Sequence, residues 1–506
     1  MQASKERSYY LDSVRGSDEN DGRDPQHPLR TIGALNAARP ASGDRVLLRG
    51  GHVFSGTLEL RGSASATEDG GMCVGSYGDG RATLYAGPAD GVVLQGIGGL
   101  TLENLEIVGC GRNAGSDGTG ITAVDCSDLS IHDVIVRGFR VAGIAIRGGS
   151  DIRVERATAH HNGAAGIQVN RGNDIARRIV IRDCLVHDNA GDPKRLDNHS
   201  GNGIVVGGLD ECLIEYCRAW NNGYDMPRTG NGPVGIWGYA AHRLTIQYCI
   251  SHDNKTSPGG MDGGGFDFDG GVTESVLQYN LSYNNHGSGY LLCQYPGAER
   301  WQHNRCRFNI SINDGRTNHH AGIHFWAGDE GISDAEVSNN LVVNDRHAVT
   351  ATHDIPGLVM RHNILVSEDS VISGPLSTTV FEGNHLWSRR AAGIFESGPT
   401  LFEDLESWQR SGGDQSASGG DPRIAMPPTL ADLPTDPREL ARMPWGRLGA
   451  DSPLRGKARG RDRGAEHGGH GGHGGHGGHG GHDSRDFYGN AFGALCSPGV
   501  DQAAEP

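Results

Sequence analysis

The sequence predicts an all-β chain folded as a single right-handed parallel β-helix, a solenoid of stacked coils with a loosely ordered C-terminal flank. Two observations carry this. Gly-led alternating strands recur at GIAIRG (143), GIQVNR (166), GIVVGG (203), GIWGYA (235), GFDFDG (265), GYLLCQ (289) and GIHFWA (322), with starts 23 to 37 residues apart, a spacing typical of solenoids. No segment between them carries a convincing helical stripe of more than ten residues, so the strands stack as coils and do not form a βαβ sheet.

The elements follow in order. Residues 8–90 read as an N-terminal segment with the first rungs, and residues 91–388 as the β-helix repeats proper. Each Gly-led strand is followed by a second β-branched run, as in RIVIRDCLVHDN, ECLIEYCRAWNN, RLTIQYCISHDN, ESVLQYNLSYNN, AEVSNNLVVND and LVMRHNILVSE; period-two alternation is the strand signal. One position in these runs reads Cys184, Cys217, Cys249, Asn280, Asn309, Asn340, Asn363, Asn384, and another reads Asn162, Asn189, Asn222, Asn254, Asn285. Identical residues stacked rung over rung form ladders in which amides bond to turn backbone and to one another. Cysteine in such a column acts as a small buried hydrophobe, and a metal or disulfide cluster is the lesser reading. Residues 389–465 mix Pro, Gly and charge and read as a flank over the last rung. A His/Gly-rich insert at 466–483 and a tail at 484–506 complete the chain.

Composition agrees with this plan and excludes several partners. The length of 506 residues suggests about three domains, but a solenoid grows by adding coils and overrides that count. Glycine supplies 81 residues without a Gly-X-Y register, which suits a chain that turns sharply every few residues. A formal charge of -16 argues against a nucleic-acid partner, since phosphate binding needs a basic stripe. The sequence has no run of about 18 apolar residues that would span a membrane. The start MQASKERSYYLDS lacks an apolar signal core. As written the chain is expected in the cytoplasm, and outside the cell or in the periplasm if a signal was removed. The residues are silent on oligomeric state.

The opening YYLDSVRGSDENDGRDPQHPLRTIGALNAARPASGDRVLLRGGHVF, the ladders and the motif GGMDGGGFDFDGGVTESVLQYNLSYNNHGSGYLLCQY resemble right-handed β-helix proteins of the pectate-lyase-like superfamily. The closing pieces GGDPRIAMPP and RDFYGN are similar as well, so the resemblance spans nearly the whole chain apart from the His-rich insert. It implies the fold. For activity it is only suggestive, because that superfamily holds polysaccharide lyases, glycoside hydrolases, epimerases and phage tail proteins.

Alternation then assigns side chains to faces. Inward positions are Ile144/Ile146, Ile167/Val169, Ile204/Val206, Phe266/Phe268, Tyr290/Leu292 and Ile323/Phe325. One outward column reads Ala145, Gln168, Val205, Trp237, Asp267, Leu291, His324, and the next reads Arg147, Asn170, Gly207, Tyr239, Asp269, Cys293, Trp326. Long loops beside these rungs bring Lys194, Arg195, Asp197, His199, Asp225, Arg228, Lys255 and Asp262 towards the columns. Aromatic platforms mixed with charged and amide groups suit a polysaccharide or oligosaccharide.

The candidate catalytic residues are therefore Asp267, Asp269, Asp262, His324, Lys255 and Arg228, with Trp237, Tyr239, Trp326, Arg147 and Asn170 binding substrate. Hydrolysis by paired carboxylates is slightly favoured. The alternative is β-elimination from an acidic sugar, with Ca²⁺ on Asp262, Asp267 and Asp269 and a base among Lys255, Arg228 and Arg147. A non-catalytic carbohydrate-binding or tail-fibre-like protein is the third reading. Asp267 and Asp269 are expected at the solvent face, outside the core. His467, His470, His473, His476, His479 and His482, on Gly spacers, would bind transition metals only weakly.

Overall fold

Strands that alternate apolar and polar residues have one side to bury, and in the computed structural model they do so by stacking in parallel on three faces of one coil. The structure describes residues 7–62, 71–114, 117–328, 331–455, 458–459, 485–490, 495–496 and 499–500. The first face carries the Gly-led strands, among them Ala142–Arg147, Ala165–Asn170, Gly264–Phe268, Tyr290–Gln294 and Ala321–Ala327. The second carries Ser150–Glu155, Ala176–Arg182, Val276–Gln278, Trp301–Arg307 and Ile332–Ser338, and the third Thr158–His160, Leu185–His187, Arg218–Trp220, Ile250–His252 and Leu281–Tyr283. Two long strands, Asn202–Glu215 and Val234–Gln247, run through the first corner and join the first two faces into one sheet.

The second run of each repeat is thus two strands. It breaks at a residue with left-handed backbone, such as Asp183, Tyr216, Tyr248, Tyr279 or Phe308, with φ between 51° and 58°. The next residue, from Cys184 to Asn384, turns into the corner and is buried. The nine described cysteines that carry side chains in view are free thiols.

Both ladders run in one direction. Asn162, Asn189, Asn222 and Asn254 each donate Nδ2 to the Oδ1 of the next rung's asparagine, and Asn285 ends the series by donating 2.8 Å to Asp314. The second ladder likewise passes from Asn280 through Asn384 and closes on Asp414. A terminal rung has only to accept, and a carboxylate meets that need.

The inward residues named from sequence form one continuous core and are all essentially excluded from solvent. Each buried Ile, Leu or Phe contributes about 1.5–3 kcal/mol. At the N-terminal end, strand Ser8–Leu11 pairs with Arg45–Arg49, and the helix Ile32–Ala38, capped by Thr31, buries Ile32 and Leu35. The C-terminal flank has little regular structure, yet it reaches well beyond the last rung. Leu433, Leu440, Met443, Phe487 and Tyr488 pack along the third face on Tyr279, Leu281, Ile310, Leu341 and Ile364. Among the described residues no helix is long and apolar enough to cross a membrane.

Candidate active site

The outward columns are in the register that alternation predicts. Ala145, Gln168, Val205, Trp237, Asp267, Leu291, His324 and Thr350 are successive lateral partners on the first face. They are not open to solvent, however. Asp267 is 3% exposed and His324 5%. The loops that join the third face to the next first-face strand stack on each other and cover the column. Backbone bonds link them in series, from Asp225 N to Ala190 O, from Lys255 N to Asn222 O, from Met261 N to Gly230 O and from Gly315 N to Gly287 O. The expectation that Asp267 lies at the solvent face is corrected on that account: alternation gives a side chain's direction but not what a loop lays over it.

Three carboxylates meet under this cover. Asp262 adopts a left-handed φ of 57° away from the repeating corners, a conformation that non-glycine residues seldom adopt. Its Oδ2 accepts from Gly232 N at 2.7 Å, and its Oδ1 lies 3.7 Å from His319 Nε2. Asp269 accepts from Gly270 N at 2.7 Å and from the Cys293 thiol. Asp267 Oδ1 is buried without a hydrogen-bond partner among the described residues.

Burial pushes the Asp262 carboxyl up to about 7, with repulsion from Asp269 adding to it and the Gly232 N–H opposing it. Burial, then repulsion from Asp269 and Asp262, holds Asp267 well above the carboxylate range. Asp269 is raised by burial too, against the Cys293 and Gly270 donors that favour its charged form. Like charges this close cannot all ionise. The group therefore holds its protons more firmly than free carboxylates do.

His324 stacks on His319 with ring centroids 4.2 Å apart, and its Nδ1 pairs with Thr350 Oγ1 at 2.7 Å. Burial lowers both imidazoles, His319 to about 4, so both are neutral. His319, with a left-handed φ of 61°, escaped the sequence reading because it lies in a loop outside any strand alternation. Tyr295 escaped for the same reason. It is exposed, lies in the field of Asp269 and fills the space beside Gly270.

The aromatic candidates are committed to neighbours. Trp237 donates its indole N–H to Asn202 Oδ1 at 3.0 Å and lies under the edge of His199, with centroids 4.9 Å apart. Tyr239 lies flat over Gly207, where any side chain would collide with its ring, and donates its hydroxyl to Asn170 Oδ1 at 2.8 Å. Trp326 is half-buried beside His353.

The basic candidates are not brought to the carboxylates. Lys255 Nζ is turned to Asn221 Oδ1 at 2.9 Å, and Arg228 lies in the field of His199. Arg147 is exposed four rungs from Asp269, roughly 19 Å along the coil. Among the described residues no three His, Cys, Asp or Glu side chains are disposed to hold a metal ion. The calcium expected on Asp262, Asp267 and Asp269 does not fit the donors as they stand. The six histidines from His467 to His482 lie outside the described residues.

An open depression of about 500 Å³ lies elsewhere, on the second face beside Glu274, His303, Arg305, Glu336 and Arg361. Its charges are largely spent on one another, with Arg361 2.7 Å from Glu336 and His303 3.1 Å from Asp334. Among the described residues, the carboxyls without a Lys or Arg partner, Asp262, Asp267 and Asp269, are on the first face.

Comparison with known proteins fits this geometry. A family model described as "Pel9A-like, right handed beta helix region" matches residues 9–321. A pectate lyase L of Paenibacillus polymyxa (strain SC2) is 27% identical over 187 residues, 32% of this chain, and the match spans only 39% of that relative's length. Among solved structures, the A-module of the Azotobacter vinelandii mannuronan C-5 epimerase AlgE6 superposes with a TM-score of 0.50 at 14% identity, over 78% of this chain and 95% of that one. The catalytic unit of a Streptomyces thermodiastaticus GH87 α-1,3-glucanase also gives 0.50 at 14% identity, over 83% and 70%. These likenesses concern the fold.

Proposed function

The chain belongs to the Pel9A-like right-handed β-helix family, and from that premise we propose that it hydrolyses a glycosidic bond in a polysaccharide or oligosaccharide held along the first face. One observation carries the reading: Asp267 is buried with an unpartnered carboxyl oxygen beside two further, half-buried carboxylates, Asp262 and Asp269, and among the described residues no Lys or Arg is paired with any of the three. An uncompensated buried charge is costly, and groups so perturbed cluster at catalytic sites.

In this reading Asp267, whose proton is held most firmly, donates it to the leaving glycosidic oxygen. Asp269, supported by the Gly270 N–H and the Cys293 thiol, is the base that activates water or the nucleophile that attacks the anomeric carbon. Asp262 keeps the pair apart in charge and supplies a second proton store near neutrality. Elimination is the weaker reading, because it needs a base beside the sugar and Lys255 is turned to Asn221. A non-catalytic sugar-binding protein is disfavoured too, since binding alone gives no reason to bury unpaired carboxylates.

The test is incubation with a panel of glycans and mass analysis of products. Hydrolysis gives saturated fragments that together have gained one water. A product absorbing in the ultraviolet as an unsaturated uronide would overturn the reading.

A further inference from the structure

The two imidazoles beside Asp262 are not interchangeable, because their hydrogen bonds place their protons on opposite nitrogens. Thr350 Oγ1 contacts the His319 carbonyl at 3.0 Å and His324 Nδ1 at 2.7 Å. A carbonyl can only accept, and a hydroxyl has one proton to give. Both contacts are satisfied when Thr350 donates to His319 O and accepts from His324 Nδ1–H. Ser288 N, which can only donate, lies 3.4 Å from His319 Nδ1. Nδ1 of His319 is therefore an acceptor, and the proton of that neutral ring is on Nε2.

This Nε2–H is the group that faces Asp262 Oδ1 at 3.7 Å. The ring has little freedom to turn away. It lies parallel to His324, and only 9% of its side chain is exposed. Its loop is tied to the preceding cover by Thr317 N and Asn318 N, which both donate to His286 O at 2.8 Å. It is tied to the following strand, His347–Ala351, by His347 N, which donates to His320 O at 3.1 Å. Asp262 Oδ2 already accepts from Gly232 N at 2.7 Å, so each oxygen of this carboxylate faces a donor. At 3.7 Å the second contact is a charge–dipole attraction and not a hydrogen bond, of the kind that tightens as a reacting complex forms. Asp267, by contrast, has an oxygen without a partner among the described residues.

We propose that His319 is a positioning residue for Asp262: its Nε2–H, oriented by Ser288, Thr350 and the His324 ring, favours the ionised carboxylate, so that Asp262 gives up its proton while Asp267 keeps its own. The inference rests on the proposed hydrolytic site for its consequence in catalysis and deepens the role of Asp262 there. The other titratable groups that face Asp262 are Asp267 and Asp269 from its own rung and Cys293 from the next. His286, against Gly263, accepts from Thr256 N at 3.4 Å, and His320 turns its Nδ1 to Gly315 O at 3.3 Å. Neither supplies Asp262 with a donor.

The experiment follows the Asp262 carboxyl carbon resonance of the full chain through a pH titration, with Asp262→Asn to assign it. His319→Phe keeps a ring against His324 and removes the Nε2–H. The Asp262 midpoint should then rise by about one pH unit, a tenfold change in proton affinity. His319→Gln, which restores an N–H, should bring it back towards the parent value. An unmoved or lowered midpoint in His319→Phe overturns the proposal. The imidazole nitrogen resonances of the unsubstituted protein test it without any variant: a protonated Nδ1 on His319 at neutral pH would also overturn it. Turnover of a glycan panel keeps the two readings apart. A midpoint that moves as expected in a protein that hydrolyses no glycan leaves His319 in its role and removes the hydrolase. Hydrolysis with a pH profile and a midpoint that ignore His319→Phe does the reverse.

Discussion

Asp262 Oδ1 and His319 Nε2 lie 3.7 Å apart, and the loop that carries His319 also fixes the backbone of Asp262. Asn318 Nδ2 donates to the carbonyls of Gly260 and Asp262 at 2.9 and 3.0 Å, binding one covering loop to the next. The carboxylate group is therefore assembled by loops from two rungs. Asn318→Ala should release it. Each lost bond is worth about 0.5–1.5 kcal/mol, so the expected result is a small fall in melting temperature with a much larger fall in turnover. Proportionate losses of both would show that Asn318 serves only general stability.

The aspartate pair gives the sharpest functional test. Asp267→Asn and Asp269→Asn should each reduce turnover by about 10²–10⁴-fold, the range of general acid–base catalysis. The melting temperature should be unchanged or raised, because an unpaired buried carboxyl is removed. Full activity of both variants on every substrate would dismiss this cleft as the catalytic centre.

Stability should depend on pH through Asp314, the terminal rung of the first ladder. Burial raises its carboxyl from 3.8 to about 7. Between those values the folded chain holds a proton that the unfolded chain releases. The stabilisation is complete below about pH 4 and is lost as pH rises through about 7, with a slope of at most ~1.4 kcal/mol per unit. Asp314→Asn keeps an acceptor for Asn285 and removes the titration. Melting curves at several pH values should show the variant gaining on the parent as pH rises, whereas a constant difference would mean that Asp314 does not titrate there.

The ladders themselves should be sensitive in the middle. Asn222 accepts from Asn189 N and Nδ2 and donates to Val186 O and Asn254 Oδ1. Asn222→Ala strands several buried polar groups, each at about 1–3 kcal/mol. Urea unfolding should lose more than about 2 kcal/mol, while Asn198→Ala at the exposed loop contact changes little.

Trp237 links the loop cover to the coil. Trp237→Phe leaves Asn202 Oδ1 with Val234 N alone, at 3.3 Å, and only the 3.1 Å bond from Asn202 Nδ2 to Ala164 O then opposes turning over the amide whose nitrogen faces His199 Nδ1 at 3.0 Å. His199 then loses its fixed tautomer. The expected readout is an imidazole Cε1–H resonance for His199 that moves between the two proteins at constant pH. An unmoved resonance would show that Asn202 holds its orientation without the indole.

The coil was legible in the sequence because its rules are local. Gly-led alternation named the inward set from Ile144 to Phe325, and recurrent Asn and Cys named both ladders, since each rung buries one stripe and repeats. The same alternation gave the outward order Trp237, Asp267, Leu291, His324 with the correct lateral register. Family membership added the handedness of the stack. Only the tertiary structure decided what lies over that column. Loops 190–201, 222–233, 254–263 and 315–320 have no periodicity, so their paths depend on contacts made with other rungs after stacking. Those contacts turn Lys255 away to Asn221, hold Arg195 on the His199 carbonyl, and set His319 against Asp262. A strand's neighbours are fixed by its period. A loop's neighbours are fixed by whatever surface the finished coil presents to it.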